Sequence, residues 1–105
     1  MTGYAWIAQV RPGLEAEYKR RHDEIWPELV QSIRHAGLRH YHIFRNGQDL
    51  IGSFETDDLD RALKHLTTAE VNRRWGEYMA PVMTCRIDPA TGYLPLLERQ
   101  WSLDR

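Results

Sequence analysis

Tyr18 and His22 stand one helical turn apart in a run that is otherwise apolar on one side. Leu14, Tyr18, His22, Ile25, Leu29 and Ile33 recur at intervals of 4, 4, 3, 4 and 4, which keeps them on one face of a helix. A histidine in such a stripe is either a core imidazole bonded to a backbone carbonyl or the wall of a pocket between helix and sheet. In a pocket it can move a proton near neutral pH, and Tyr18 would orient it or a ligand. Trp75 belongs to a second stripe with Val71, Tyr78 and Val82. It is either core or a flat platform for the C–H groups of a sugar.

Other candidates carry less. His40 and His42 are two apart in an extended run, which places both on one face. Two imidazoles do not close a metal site, and no acidic or cysteine partner has metal-ligand spacing. Tyr41 faces the opposite way with Ile43. Cys85 has no base near it in the sequence, so it reads as inert. There is no glycine-rich phosphate loop and no nucleophile elbow. His35, His65 and Arg73-Arg74 read as solvated surface.

The elements that must hold these residues follow from local signals. Tyr4 to Val10 is a short apolar run ended by Arg11-Pro12-Gly13, a buried strand and its turn. The spacing predicts a helix from about Gly13 to Ile25. Pro27 forces a restart, because it lacks an N–H and suits the first helical position. Gly37 is the expected stop. Leu38 to Arg45 and Gln48 to Glu55 flank Asn46-Gly47, a strong hairpin signal. Asp57 and Asp58 cap a helix to about Leu66, and Thr67-Thr68-Ala69-Glu70 has capping-box spacing for another, ended by Pro81. A last strand is expected near Leu94 to Trp101. This order is that of an α+β, ferredoxin-like split βαβ fold, with an antiparallel sheet and helices on one face. The other sheet face is left bare, which in so small a domain points to a second copy of the chain.

Composition narrows the class. The 105 residues suit one domain spanning 1–105. Fourteen basic against fifteen acidic residues give a net charge of -1, against a nucleic-acid partner or an anionic membrane. The single cysteine allows no internal disulfide and fits a reducing, cytoplasmic setting. No apolar run approaches the roughly 20 residues that span a bilayer, and the first residues do not read as a signal peptide.

The segment from Glu17 to Leu29, EYKRRHDEIWPEL, resembles the hallmark of the L-rhamnose mutarotases, whose pattern is E-Y-x-x-R-H-x-x-I-W-P-E. The resemblance continues through Gly37, Tyr41 and Arg74-Trp75-Gly76-Glu77-Tyr78-Met79, and covers the chain from Tyr4 to about Met83. It implies a ferredoxin-like domain that dimerises into an α+β barrel. It implies an isomerase without a cofactor or metal, acting on a monosaccharide, that interconverts the α and β anomers of a 6-deoxy pyranose. His22 matches the catalytic histidine; Tyr18, Tyr41 and Trp75 match positions that contact the sugar. The family usually has Trp-Trp where this chain has Trp75-Gly76, so Gly76 falls on the pocket wall. The usual N-P-D-N-S-P loop is replaced by Cys85-Arg86-Ile87-Asp88-Pro89-Ala90. The same architecture also serves cofactor-free monooxygenases, haem-degrading enzymes and non-catalytic binding modules. Those remain the alternative.

Overall fold

A computed structural model of the chain describes residues 2–104. Strand β1 (Thr2–Val10) leads to helices α1 (Glu15–Asp23) and α2 (Pro27–His35). The hairpin β2 (Arg39–Asn46) and β3 (Asp49–Thr56) follows, then α3 (Leu59–Thr68), α4 (Glu70–Met79) and the short strand β4 (Met83–Thr84). The sheet order is β2-β3-β1-β4 with antiparallel neighbours throughout. That is the ferredoxin-like arrangement expected from the sequence, with each crossover helix broken in two.

The break between α1 and α2 has the expected cause. Trp26 is extended (φ -65°, ψ 130°), as a residue before proline prefers, and Pro27 starts α2. Gly37, at φ +95°, ends α2 in a conformation that disfavours a side chain. Its N–H donates to the Arg34 carbonyl and that of Leu38 to Ile33, the paired bonds of a Schellman motif. Leu38 is then delivered into the core.

Register sorts the two sheet faces. Trp6 pairs with Gly52, and Gly52 with Ile43; Ala8 pairs with Leu50. These rows face the helices, where Trp6, Leu50, Phe54, Ala62, Leu66 and Met79 form the core. A Cβ on Gly52 would lie 2.1 Å from Trp6 Cε2, so the indole lies flat over a residue without a side chain. The alternate row, Phe44–Ile51–Ile7, lies on the other face; Phe44 is 62% and Ile51 40% exposed.

Four expectations are corrected. The hairpin turn is Gly47-Gln48, since Asn46 still pairs with Asp49, and Gly47 takes the positive φ (+61°). Thr67 and Thr68 form no capping box: they continue α3, donating hydroxyl protons to the Leu63 and Lys64 carbonyls, and α4 starts at Glu70 after an extended Ala69, with no side-chain cap. The fourth strand is Met83–Thr84, beside Gln9 and Val10, and not Leu94 to Trp101. The latter segment touches β1 through a single Trp6–Leu96 bridge and the Leu97 N–H to Ala5 carbonyl bond (2.7 Å). Pro95, which has no N–H to give, breaks any longer ladder there. Finally, a bulge spoils the His40/His42 alternation. Arg39 pairs with Glu55 and His42 with Ser53, leaving one extra residue on β2, and His40 sits at φ +50°. His42 therefore neighbours Phe44 on the bare face, whereas His40 lies 3.7 Å from the Glu55 carboxylate. Among the described residues no three His, Cys, Asp or Glu side chains are placed to hold a metal ion.

Candidate active site

The broken helix α1–α2 and helix α4 leave a cavity of about 1080 Å³ above the sheet. Tyr18, His22, Ile25, Leu29 and Ile33 all line it, so the stripe read from the sequence stays continuous across Pro27. Trp6, Tyr41 and Ile43 rise from the sheet, and Trp75, Gly76 and Met79 enter from α4. The five residues singled out in the sequence, Tyr18, His22, Tyr41, Trp75 and Gly76, thus share one cavity.

The His22 ring is half-buried and wedged between aromatic neighbours. Tyr18 packs on it at 4.4 Å between ring centroids, and Trp75 meets it edge-on at 5.4 Å. His22 Nδ1 is 3.3 Å from the Tyr18 carbonyl oxygen. A carbonyl can only accept, so Nδ1 carries the proton and Nε2 keeps its lone pair. Burial lowers the imidazole pKa below the ordinary histidine value; the Tyr18 carbonyl and the Asp23 charge oppose that shift without reversing it. The ring is neutral at pH 7, with the Nε2 lone pair available to accept a proton.

Charges outside the cavity set α1 in place. Arg20 and Arg21 both bind the Glu17 carboxylate, holding its pKa down at about 2. Arg21 also reaches across to donate to the Tyr78 carbonyl and lies 4.4 Å from the Tyr78 ring centroid. This clamp joins α1 to α4 and so fixes His22 opposite Trp75.

Trp75 is braced from behind by Trp26 (5.1 Å, 85°) and Tyr78 (5.5 Å). It is half-buried, which leaves a face for a ligand. Gly76 is exposed, and a Cβ there would meet nothing within 4 Å, so the wall is open beside Trp75. A sugar in the cavity is expected to change the indole fluorescence. Trp75→Ala is expected to weaken sugar binding by roughly tenfold, the loss of about 1.4 kcal/mol of ring contact. Titration of both proteins with sugar checks this; an unchanged wild-type spectrum would place Trp75 in the core alone.

On the sheet side, the Trp6 indole N–H donates to the Tyr41 hydroxyl (2.9 Å), and Tyr93 lines the same cavity. Burial pushes the phenols of Tyr18, Tyr41 and Tyr93 above the usual tyrosine value, so all three keep their protons. Sequence reasoning missed Tyr93, which comes from a loop without periodicity, and Trp26, whose bracing role needs Trp75 beside it. Cys85 is exposed at the cavity edge and its pKa is raised by burial of the thiol, so it stays a thiol. His65, expected on the surface, is half-buried and hydrogen-bonded to Ser32 Oγ (2.9 Å), tying α2 to α3.

A small ferredoxin-like α+β domain with a neutral imidazole in an aromatic cavity is the class that this fold and site define. The family model described as L-rhamnose mutarotase matches residues 3–103, and the chain belongs to that family. An L-rhamnose mutarotase of Burkholderia ambifaria is 37% identical over 98 residues, covering 92% of this chain and 94% of the relative. One from Rhizobium johnstonii is 40% identical over 87 residues, 81% of each chain. Two solved structures share the fold. The L-rhamnose mutarotase of Formosa agariphila superposes with a TM-score of 0.80 at 24% identity, covering 99% of this chain and 100% of that one. The tetracenomycin F2 cyclase of Streptomyces glaucescens gives 0.65 at 16%, covering 100% and 99%.

Proposed function

We propose that the protein interconverts the α and β anomers of L-rhamnose by acid–base opening of the pyranose ring, with His22 as the proton-transfer residue. The observation that carries this is the imidazole: neutral, held by Nδ1 on a backbone carbonyl, with Nε2 free at an aromatic-lined cavity. Nε2 takes the proton of the anomeric hydroxyl. The C1–O1 bond becomes a carbonyl as the ring C–O bond breaks, and that electron pair goes to the ring oxygen. The imidazolium returns its proton there. The free aldehyde turns about its bond to C2 and recloses on the other face by the reverse steps. Proton transfer alone completes this cycle, so no cofactor is required. Acid–base help of about 10²–10⁴-fold, roughly 3–5 kcal/mol, is a large share of the barrier to a reaction that already proceeds in water.

In this proposal Tyr18 and Tyr41 hold the sugar by hydrogen bonds, and Trp75 stacks on its C–H face. Proton NMR exchange between the two anomeric signals, across a panel of deoxy sugars, tests the assignment. Enzyme-dependent exchange, fastest for L-rhamnose, is expected; exchange no faster than in buffer for every sugar overturns it.

The working form in this proposal is a homodimer closed through the bare sheet face into an α+β barrel. The row Phe44–Ile51–Ile7 and the exposed Leu97 would be solvated in a lone chain, and a second copy buries them. A cytoplasmic setting in sugar catabolism fits the single cysteine. Light scattering at micromolar concentration is expected to give twice the 12.4 kDa chain mass. A particle of one chain mass would contradict the dimer.

A further inference from the structure

We propose that Gly76 opens a second sugar subsite beside Trp75, so that the protein also acts on reducing disaccharides that end in a 6-deoxy pyranose such as L-rhamnose. The inference rests on the mutarotase reading above and widens its substrate class.

Gly76 has no structural reason to be glycine. It lies inside α4, where glycine destabilises a helix relative to alanine because it loses more conformational freedom on folding. Its φ is not among the positive ones. A Cβ there would meet nothing within 4 Å, so no neighbour approaches closely enough to require the missing side chain. Gly52, under an indole 2.1 Å from its Cβ position, and Gly37, at φ +95°, show what such reasons look like. What Gly76 provides is room.

That room belongs to the cavity. Asn72, Trp75, Gly76 and Met79 fall at i, i+3, i+4 and i+7 on one face of α4, and all of them line the cavity. Gly76 is therefore in the middle of the cavity-facing stripe, next to the indole. At about 1080 Å³ the cavity exceeds the roughly 300–1,000 Å³ typical for drug-sized ligands, and one pyranose is smaller than those. The bare sheet face on which a second copy would dock is the opposite one.

The rim suits a second sugar ring. Arg11, just after β1, donates its Nε–H to the carbonyl of Ala80 (3.1 Å), one turn beyond Gly76, and both residues line the cavity. A guanidinium held through one N–H keeps further donors for sugar hydroxyls. Ile87, 50% exposed at the cavity edge, offers apolar contact to sugar C–H groups.

The chemistry decides which ring enters first. Ring opening needs a free anomeric hydroxyl, because a glycosidic oxygen has no proton to give to His22. The ring beside His22 is therefore the reducing one, and the second ring hangs from another of its hydroxyls, toward Gly76. The bond between the two sugars stays intact. The proton passes from the anomeric hydroxyl to His22 and on to the ring oxygen, as for the free monosaccharide.

Anomer-exchange NMR tests this, on L-rhamnose and on rhamnosyl-rhamnose disaccharides linked in turn through each non-anomeric ring hydroxyl. The wild type is expected to exchange the reducing-end anomers of at least one disaccharide faster than buffer alone. Gly76→Trp is expected to cut the disaccharide-to-rhamnose ratio of kcat/KM by about 100-fold, within the range over which a filled pocket discriminates. Gly76→Ala is expected to melt roughly 4 °C higher, through loss of a helical glycine from a small domain. Exchange of L-rhamnose without exchange of any disaccharide overturns the inference and leaves the mutarotase reading intact. So does an unchanged ratio in Gly76→Trp or, should that variant fail to fold, in Gly76→Leu. A Gly76→Ala that melts below the wild type would give the glycine a structural reason and overturn the inference as well. No catalysed exchange of any sugar overturns both.

Discussion

His22→Ala is expected to lose about 10²–10⁴-fold in the rate of anomer exchange while keeping its fold. The imidazole borders a cavity and is only half-buried, so its removal enlarges a pocket and opens no void in a closed core. Its one polar bond is to the Tyr18 carbonyl, which also serves the α1 helix, so no buried group is stranded. Stability should therefore move by less than about 1 kcal/mol, as for substitutions away from the packed interior. His22→Asn should be as inactive as alanine, because it can hydrogen-bond but cannot accept a proton near pH 7. A folded His22→Ala that exchanges rhamnose anomers at the wild-type rate would remove His22 from the mechanism.

Gly52→Ala is expected to have the largest effect on the fold. The new methyl would lie 2.1 Å from Trp6 Cε2, inside any real contact, and the indole is 2% exposed with the core behind it. Overpacking of this kind costs about 3 kcal/mol at the upper end of its usual range, or roughly 12–24 °C in Tm for a domain this small. The damage reaches the site, since a displaced Trp6 cannot keep its bond to Tyr41. Thermal unfolding followed by near-ultraviolet circular dichroism checks this. A variant that melts within about 2 °C of wild type, well under the shift that 1 kcal/mol produces, would mean that the indole does not lie over Gly52.

These two residues also mark where the sequence is legible and where it is not. His22 was found because helix periodicity is local: one polar ring in an apolar stripe is visible without any partner. The same holds for Pro27 and Gly37, whose backbone limits act within a few residues. Gly52 is silent in the sequence, because its reason is an indole on another strand. Met83–Thr84 is a strand only because β1 offers it an edge, and two residues carry no period. The bulge at His40 has no local signal, so strict alternation placed both histidines on one face. Thr67 misled because the capping-box spacing is also met across the junction of two helices, with Thr67 still in the last turn of α3 and Glu70 opening α4. Tyr93 lies in a loop without a period, and only the folded chain brings it to the cavity wall.

The pH dependence of catalysed L-rhamnose anomer exchange tests the central claim most directly, with the buffer rate subtracted at each pH. The neutral imidazole must accept the first proton, and burial holds its pKa below the ordinary histidine value of about 6.5. The free-enzyme kcat/KM should therefore stay level from pH 8 down through about 6.5 and fall only in more acid solution, as His22 takes up a proton. Stability should decline over the same interval, because the unfolded chain binds that proton more readily than the folded one. A rate that rises as the solution is acidified through neutrality, or one indifferent to pH across the whole range, would contradict a neutral His22 as the proton acceptor.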